Sequence, residues 1–497
     1  MALPVFLFSR SYDTMPMNSW IYQSLSVLQT AGFFRDFDQG AKPYTRMQIA
    51  IHLKHLLQTS SPDSLANQNI EFRRIFHEFR HEIESQSDST GDVSAFRGAF
   101  TFRDYYSTEN NNNLFFRLNG FLAMNNRFSL KYSGYVDQSL ADDPLYTGYE
   151  WRGFTGRQEQ MYLAVSGDSW TLQTGRDYCQ WGYGHSGNLF ISANSGSFDM
   201  IMFHLKSRIL TFQTFTAQLD PMYNANRYLT ATRFEVNFKN RWYLGLGQSA
   251  LYGGENRPLD LVISNPLAFY SFTQDNDHKA MNIMLYADFA WYFRNKYKFY
   301  GEFLIDDFQI DKEVKSDLEP DELGILCGLE WVNLLADING YFELVQIRNR
   351  TYNVPEARPY EKFLQKNLPI GYTLGTDLQY AVIHLNRWLA NCLRLDFTGS
   401  LYRQGEGTIH GKFTEPWMNN DVTMETSYSE KIPYGIVESV AGCEWIMHYE
   451  YTSRIQAEIG FQYLKWQNYE HIRDKSHSDI IFTCCLQIEY DRIWKFR

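Results

Sequence analysis

From about residue 93 to the C-terminus, apolar side chains recur at every second position. In residues 480–490, Phe482, Cys484, Leu486, Ile488 and Tyr490 fall on one side, with Thr483, Cys485, Gln487 and Glu489 on the other. Residues 391–402 repeat the pattern, with Leu393, Leu395, Phe397 and Leu401 against Arg394, Asp396, Thr398 and Ser400. Residues 454–463 set Ile455, Ala457, Ile459, Phe461 and Tyr463 against Arg454, Gln456, Glu458 and Gln462. A period of two is the signature of a strand with one apolar face. Similar segments lie near 114–122, 127–135, 228–238, 281–293, 336–345 and 435–451. About 18 fit between residues 93 and 497. The even strand number usual for single-chain bacterial barrels makes 16 or 18 the expectation, with 18 favoured.

Strand length separates a barrel from a sandwich. Several runs keep their alternation for about ten residues, enough for a tilted strand to cross a bilayer, whereas soluble strands average about five or six. Charge sits on the polar face, as in Arg233 with Glu235, Glu302 with Asp306 and Glu438 with Glu444. A sandwich holds such charge only on its solvated face, and a barrel places it in a wet lumen. Mean hydropathy is −0.41, and no apolar run approaches the ~20 residues of a membrane helix. Strands that alternate lipid-facing and lumen-facing residues give a soluble-looking average. A lipid-facing sheet must also close, because hydrocarbon does not tolerate an unpaired edge.

Composition fits. The chain holds 34 Tyr and 37 Phe but only 14 Pro, a mix that suits pleated surfaces. A net charge of −11 with no Lys/Arg stripe argues against nucleic acid as a partner. The six cysteines (Cys179, Cys327, Cys392, Cys443, Cys484, Cys485) form no CxxC pair, so neither a zinc ribbon nor a redox motif is indicated. His77 and His81 are four apart in a helical segment without a third ligand, so no metal is expected. Asp306 and Asp307 are adjacent on a strand and point to opposite faces, so they alone cannot share a proton. His185-Ser186 places no base within reach of a nucleophile and shows no orienting third residue. No catalytic set and no cofactor is expected.

Ahead of the strands, residues 13–87 read as a helical domain. Asn18 or Ser19 caps a segment with Trp20, Ile21, Leu25 and Leu28 at helical spacing, ending at Ala31-Gly32. A second helix opens at Pro43-Tyr44-Thr45-Arg46, and a third runs over 65–84 with Ile70, Ile75, Phe76, Phe79 and Ile83. Residues 1–12 read as a residual leader or disordered start, residues 85–92 as a polar linker, and residues 93–497 as the barrel.

Identity is carried by residues 175–199. Gly175-Arg176-Asp177, then Trp181-Gly182-Tyr183-Gly184, Gly187, Leu189, Ser192, Asn194 and Phe198 resemble the signature of Wzi-type capsule assembly proteins, which lies between two barrel strands. Further blocks follow in family order. These are Asn226-Arg227-Tyr228-Leu229 with Arg233 and Glu235, Asn265-Pro266-Leu267-Ala268-Phe269-Tyr270, and Tyr300-Gly301-Glu302 through Asp306-Asp307-Phe308. The helical head with Trp20, Leu28, Ala31-Gly32 and Arg46 is similar to the family's small periplasmic domain. Two prolines of the family pattern are replaced here by Tyr183 and Ser197.

The resemblance implies a monomeric, non-enzymatic outer-membrane barrel that binds exported capsular polysaccharide or exopolysaccharide and holds it at the cell surface. Trp181 and Tyr183 offer faces for sugar stacking, and Arg176, Asp177 and Asn194 offer hydrogen bonds. Alternatively these residues lock a plug-like loop in the lumen. Arg233 with Glu235 reads as a lumen ion pair. Loops at 105–113, 137–157 (Tyr149, Trp151) and 403–434 (Trp417) are the first candidates for saccharide contact, since outer loops are the longer ones. A diffusion channel for small solutes is the rival, decided by whether the lumen is blocked.

Overall fold

The computed structural model describes residues 12–37, 39–59, 69–85, 94–109, 111–124, 127–142, 148–309, 313–425, 428–452 and 454–496. Residues 1–11 of the proposed leader, most of the linker and the middle of the 137–157 loop lie outside the described residues, whereas Tyr12 is buried against the wall, its amide donating to Ser129.

Among the described residues, eighteen antiparallel strands close into one barrel. They are β1 (Ser94–Ser107), β2 (Asn111–Met124), β3 (Phe128–Asp137), β4 (Thr155–Ser166), β5 (Trp170–Asp177), β6 (Phe198–Lys206), β7 (Leu210–Met222), β8 (Ala225–Phe238), β9 (Trp242–Gly254), β10 (Asn282–Phe293), β11 (Tyr297–Asp307), β12 (Glu322–Leu334), β13 (Ile338–Ile347), β14 (Leu378–Ala390), β15 (Leu393–Gln404), β16 (Glu438–Thr452), β17 (Ile455–Gln467) and β18 (Ser476–Phe496). The seam joins β18 to β1, from Ser94 opposite Phe496 to Ser107 opposite Thr483. The two-residue period sets the faces. Phe482, Leu486, Tyr490 and Trp494 stand exposed toward lipid, while Gln487 and Glu489 line a lumen cavity.

One rim carries turns of two or three residues, such as 167–169, 207–209, 239–241 and 391–392, whereas the other carries 178–197, 255–281, 348–377 and 405–437. An aromatic belt marks the short-turn rim, where Trp242 stacks on Trp291 at 4.7 Å and Trp291 meets Phe293 at 4.6 Å. Such belts sit at membrane interfaces.

The helical head packs at the short-turn end. It comprises α1 (Ile21–Thr30), α2 (Arg46–Thr59), α3 (Ile70–Glu78) and α4 (Arg80–Ser85). Its own core joins Ile21, Leu25, Leu28, Phe37, Ile49, Leu53, Phe72 and Phe79. Neither Asn18 nor Ser19 is the cap of α1. Trp20 holds that position without a side-chain bond. The expected third helix starts at Ile70, where Asn69 Oδ1 accepts from the Glu71 and Phe72 amides, and it breaks at Phe79. The break separates His77 on α3 from His81 on α4, so they do not share one continuous helix face. The 105–113 segment is not a loop either. Tyr105 and Tyr106 pair with Asn113 and Asn112 across a tight hairpin.

Candidate functional site

At Asp177 the chain leaves the wall, folds into the lumen and returns at Phe198. Gly175 (φ 123°) and Gly182 (φ 122°) hold backbone conformations that side chains disfavour. At Gly182 a Cβ would also collide with the Glu302 carboxylate. The plug reaches the head, because the two-residue strands Ala41–Lys42 and Gln180–Trp181 pair antiparallel.

Inward-facing carboxylates hold the plug by its backbone. Glu302 Oε1 accepts from the Tyr183 and Gly184 amides at 2.9 Å and from Asn188 Nδ2 at 2.7 Å, and its Oε2 accepts from the Leu189 amide at 2.8 Å. Glu343 accepts from the amides of His185 (2.6 Å) and Ser186 (2.9 Å) and from the Tyr300 hydroxyl (2.8 Å). Glu235 accepts from the Tyr183 hydroxyl (2.8 Å) and from Arg233 (2.7 Å), while Arg233 also forks onto both oxygens of Asp288 at 3.0 and 2.8 Å. Arg233 is 2 % and Glu302 3 % exposed, so these charges are not in a wet lumen as expected. The plug covers them, and hydrogen bonds replace their water.

A second inward loop, 348–377, closes over the first. The Ser192 amide donates to Ile370 O at 2.8 Å, and Asn194 Nδ2 reaches Pro369 O at 3.5 Å. The Tyr352 amide donates to Asp306, and its hydroxyl donates to Leu189 O. Arg227 is fully buried and donates to Tyr360 O, Lys362 O and Leu364 O at 2.6–2.8 Å.

The sequence candidates therefore separate. Trp181 is 1 % exposed, donates from Nε1 to Gln213 at 2.7 Å and packs on Phe190 and Phe215. Its faces are taken, as are those of Tyr183. Gly184 and Ser192 are buried with them in the plug. Asp177 is buried and accepts from Thr14, Gln160, Gln173 and the Tyr178 amide. Arg176 faces outward and forks onto Asp199 at 2.7 Å. Trp417 is no exposed sugar platform. It is 1 % exposed, between Phe413, Tyr428 and the Arg350 guanidinium 4.9 Å away, because the 405–437 loop builds a small core with Leu318 of the neighbouring loop. Asn265-Pro266 shape the turn ahead of α5 (Tyr270–Asp277). That helix lies outside the wall, where Tyr270 joins Ala250, Tyr252 and Ile263. Tyr149 (83 %) and Trp151 (61 %) remain open on the long-loop rim. His185 stacks on Tyr341 at 4.4 Å and bonds Glu330, whereas Ser186 bonds the Tyr372 hydroxyl, so each is committed elsewhere.

Sequence reading missed Glu343 and the capping role of Arg227. The available signal was inward-phase carboxylates recurring on β8 and on β10 to β13 (Glu235, Asp288, Glu302, Glu330, Glu343), more than a solvated lumen needs.

The comparisons with known proteins agree with this architecture. The family model for capsule assembly protein Wzi matches residues 83–477. Among curated proteins, none matches the sequence. Among solved structures, the chain is similar to Wzi of Escherichia coli, an outer-membrane protein involved in group 1 capsule assembly and a carbohydrate-binding β-barrel. Identity is 15 %, coverage is 96 % of this chain and 99 % of that one, and the TM-score is 0.63. The outer-membrane protein opdK of Pseudomonas aeruginosa matches at 10 % identity over 81 % of this chain and 99 % of that one, with a TM-score of 0.46. With a family model spanning most of its length and a closed eighteen-strand barrel behind a helical head, this chain belongs to the Wzi family of outer-membrane capsule assembly proteins.

Proposed function

We propose that this barrel is a plugged anchor that binds exported capsular polysaccharide or exopolysaccharide through its long-loop rim and keeps it on the cell. It catalyses nothing, acts as a monomer and conducts no solute. The observation that carries this reading is the obstructed lumen, one half filled by two inward loops fastened to buried wall carboxylates, with a helical head beneath. A diffusion channel has no use for that investment. The long rim faces outward and the head lies in the periplasm, since periplasmic turns are the short ones in such barrels. Tyr149 and Trp151 present flat apolar faces there, and the Arg152 guanidinium lies 5.1 Å from the Trp151 ring. Many weak stacking and hydrogen-bond contacts along one polymer sum through multivalency.

Gene deletion followed by measurement of polysaccharide on cells and in medium is the test. Deletion should move polysaccharide into the medium, and complementation with Tyr149→Ala/Trp151→Ala should restore retention only in part. Normal retention in the deletion strain would remove the anchoring role.

A further inference from the structure

We propose that the outer loop 255–281 is a flap laid into the outer leaflet, with the acyl chains of that leaflet as its partner. Loops 178–197 and 348–377 turn into the lumen, whereas 255–281 turns the other way and folds down outside the wall. Its anchor is Gln248, an outward residue of β9, whose side chain donates to Ala268 O at 2.6 Å and accepts from the Tyr270 amide at 3.3 Å. Ile263, Tyr270 and Met281 then cover Ala250 and Tyr252 on the same outward face.

The wall explains why the flap folds there. Phe212, Phe234 and Leu246 form one outward row across β7, β8 and β9, and the next outward row is Thr214, Thr232 and Gln248. Thr216 and Thr230 follow, and the hydroxyls of Thr214 with Thr232 and of Thr216 with Thr230 lie 3.1 Å apart. Phe234 and Leu246 are exposed, so hydrocarbon meets the wall up to their row, and above it the outward face turns polar. An irregular segment survives beside hydrocarbon only where its polar groups are bonded. Here Asp260 Oδ1 accepts from the Val262 and Ile263 amides. Asp260 O accepts from Ser264, Val262 O from Asn265 and Asn265 O from Ala268.

The other side of the flap is apolar. Leu267 is 81 %, Leu261 80 % and Phe272 64 % exposed, and Phe269 meets Phe272 edge-on at 4.9 Å. From residue 259 to 272 the one charged side chain is Asp260, and Lys279 pairs with it at 2.6 Å. Exposed charge resumes at Asp275 and Asp277. Arg257 donates to both Gly253 O and Ala280 O at 3.1 and 3.0 Å, which sets the end of the charged stretch level with the top of β9, whereas Ala268 lies further down the strand at Gln248. Apolar below and charged above is the sorting of a bilayer boundary, where in-plane segments bury one face at the acyl–headgroup level. A protein partner does not require that order, and water would leave a large apolar patch bare. The flap also continues the exposed band of Phe234, Leu244 and Leu246 beneath it, so one lipid interface serves wall and flap. None of this depends on polysaccharide retention.

Spin-label power saturation of the full chain in dioleoylphosphatidylcholine vesicles tests this, with the six native cysteines replaced by serine. Nitroxides are attached at Leu267→Cys on the flap, Leu246→Cys on the bare wall and Asp277→Cys at the charged end. Oxygen, which concentrates in hydrocarbon, should relax the Leu267 and Leu246 labels alike, while a water-soluble nickel chelate should reach Asp277 alone. The oxygen-to-nickel ratio at Leu267 should therefore match that of the wall and be reversed at Asp277. A Leu267 label open to nickel would place the flap in water. A label closed to both reagents would place protein over it, a second copy or another chain. Either result would overturn the proposal. Heat-modifiable migration reports barrel closure, and if the serine background does not close, replacing only the exposed Cys327 and Cys484 carries the test.

Discussion

The two halves of the barrel wall share one alternation and use it differently. From β6 to β14, inward positions such as Phe198, Phe215, Leu229, Tyr243, Tyr286, Tyr300 and Val345 merge with Trp181, Phe190 and Tyr352 into one buried core. From β16 through β18 and on to β3, the inward set includes Glu444, His448, Glu458, Glu489, Arg97 and Arg117, and that core takes nothing from these strands. Here lies a cavity of about 580 Å³ between wall, head and plug. Polar inward residues there pair with one another, as Arg97 does with Asp491 and His448 with Glu458. In the filled half, carboxylates instead serve backbone amides of the plug. Strand period fixes which residues turn inward, and the inward loops decide whether they meet protein or water.

Removing a plug carboxylate should therefore have the largest effect. Glu302→Ala leaves three amides and the Asn188 side chain without their acceptor. At ~1–3 kcal/mol per orphaned buried donor the loss is about 4 kcal/mol or more. Single-channel recording should find the intact chain closed and the variant open in steps. A variant as closed as wild type would show that the carboxylates do not hold the plug. Trp181→Ala should follow at about 3–5 kcal/mol from the cavity left against Phe190 and Phe215, measured by denaturant or thermal unfolding in detergent.

The barrel was legible in the sequence because a period of two over long strands admits few other folds. The filled half was not. Glu302 and Glu444 sit in the same phase of similar strands, and only tertiary placement gives one four donors from the plug. Trp417 misled for a related reason, since a loop rich in polar residues still buried its aromatics against Arg350. The glycine-rich 175–187 stretch allowed an inward plug as one of two readings, but did not show that such a turn shortens β5 and β6. The break at Phe79 was hidden because the apolar spacing continues through it.

The head-to-wall clasp should respond to acid. Burial raises Glu71, but the Arg74 guanidinium, the Ser24 hydroxyl and the Trp388 indole outweigh it and hold the carboxyl below its ordinary 4.5. Burial likewise opposes Lys131 and Arg97 at Asp13, which ends below 3.8. A carboxyl depressed in the folded state stabilises above its unfolded pKa and loses that stability as pH falls through the folded one. The head should hold from neutral pH down to about 4 and loosen below it. Limited proteolysis across that range is the check, and a head equally protected at about pH 3 would contradict it.

The smallest effect belongs to the half without a plug, and it is the sharpest control. Glu444 faces inward on β16 and is half-buried. Its carboxylate serves no plug amide, so Glu444→Gln should leave stability within about 0.5 kcal/mol. The comparison with Glu302→Gln is nearly isosteric, because both change a carboxylate to an amide on the same wall phase. At Glu302 the new NH2 group would point a donor at donors already present, whereas at Glu444 there is room to turn. Equal losses for the two variants would mean that inward charge matters for the wall itself, and the distinction between a filled and an unfilled half would fall.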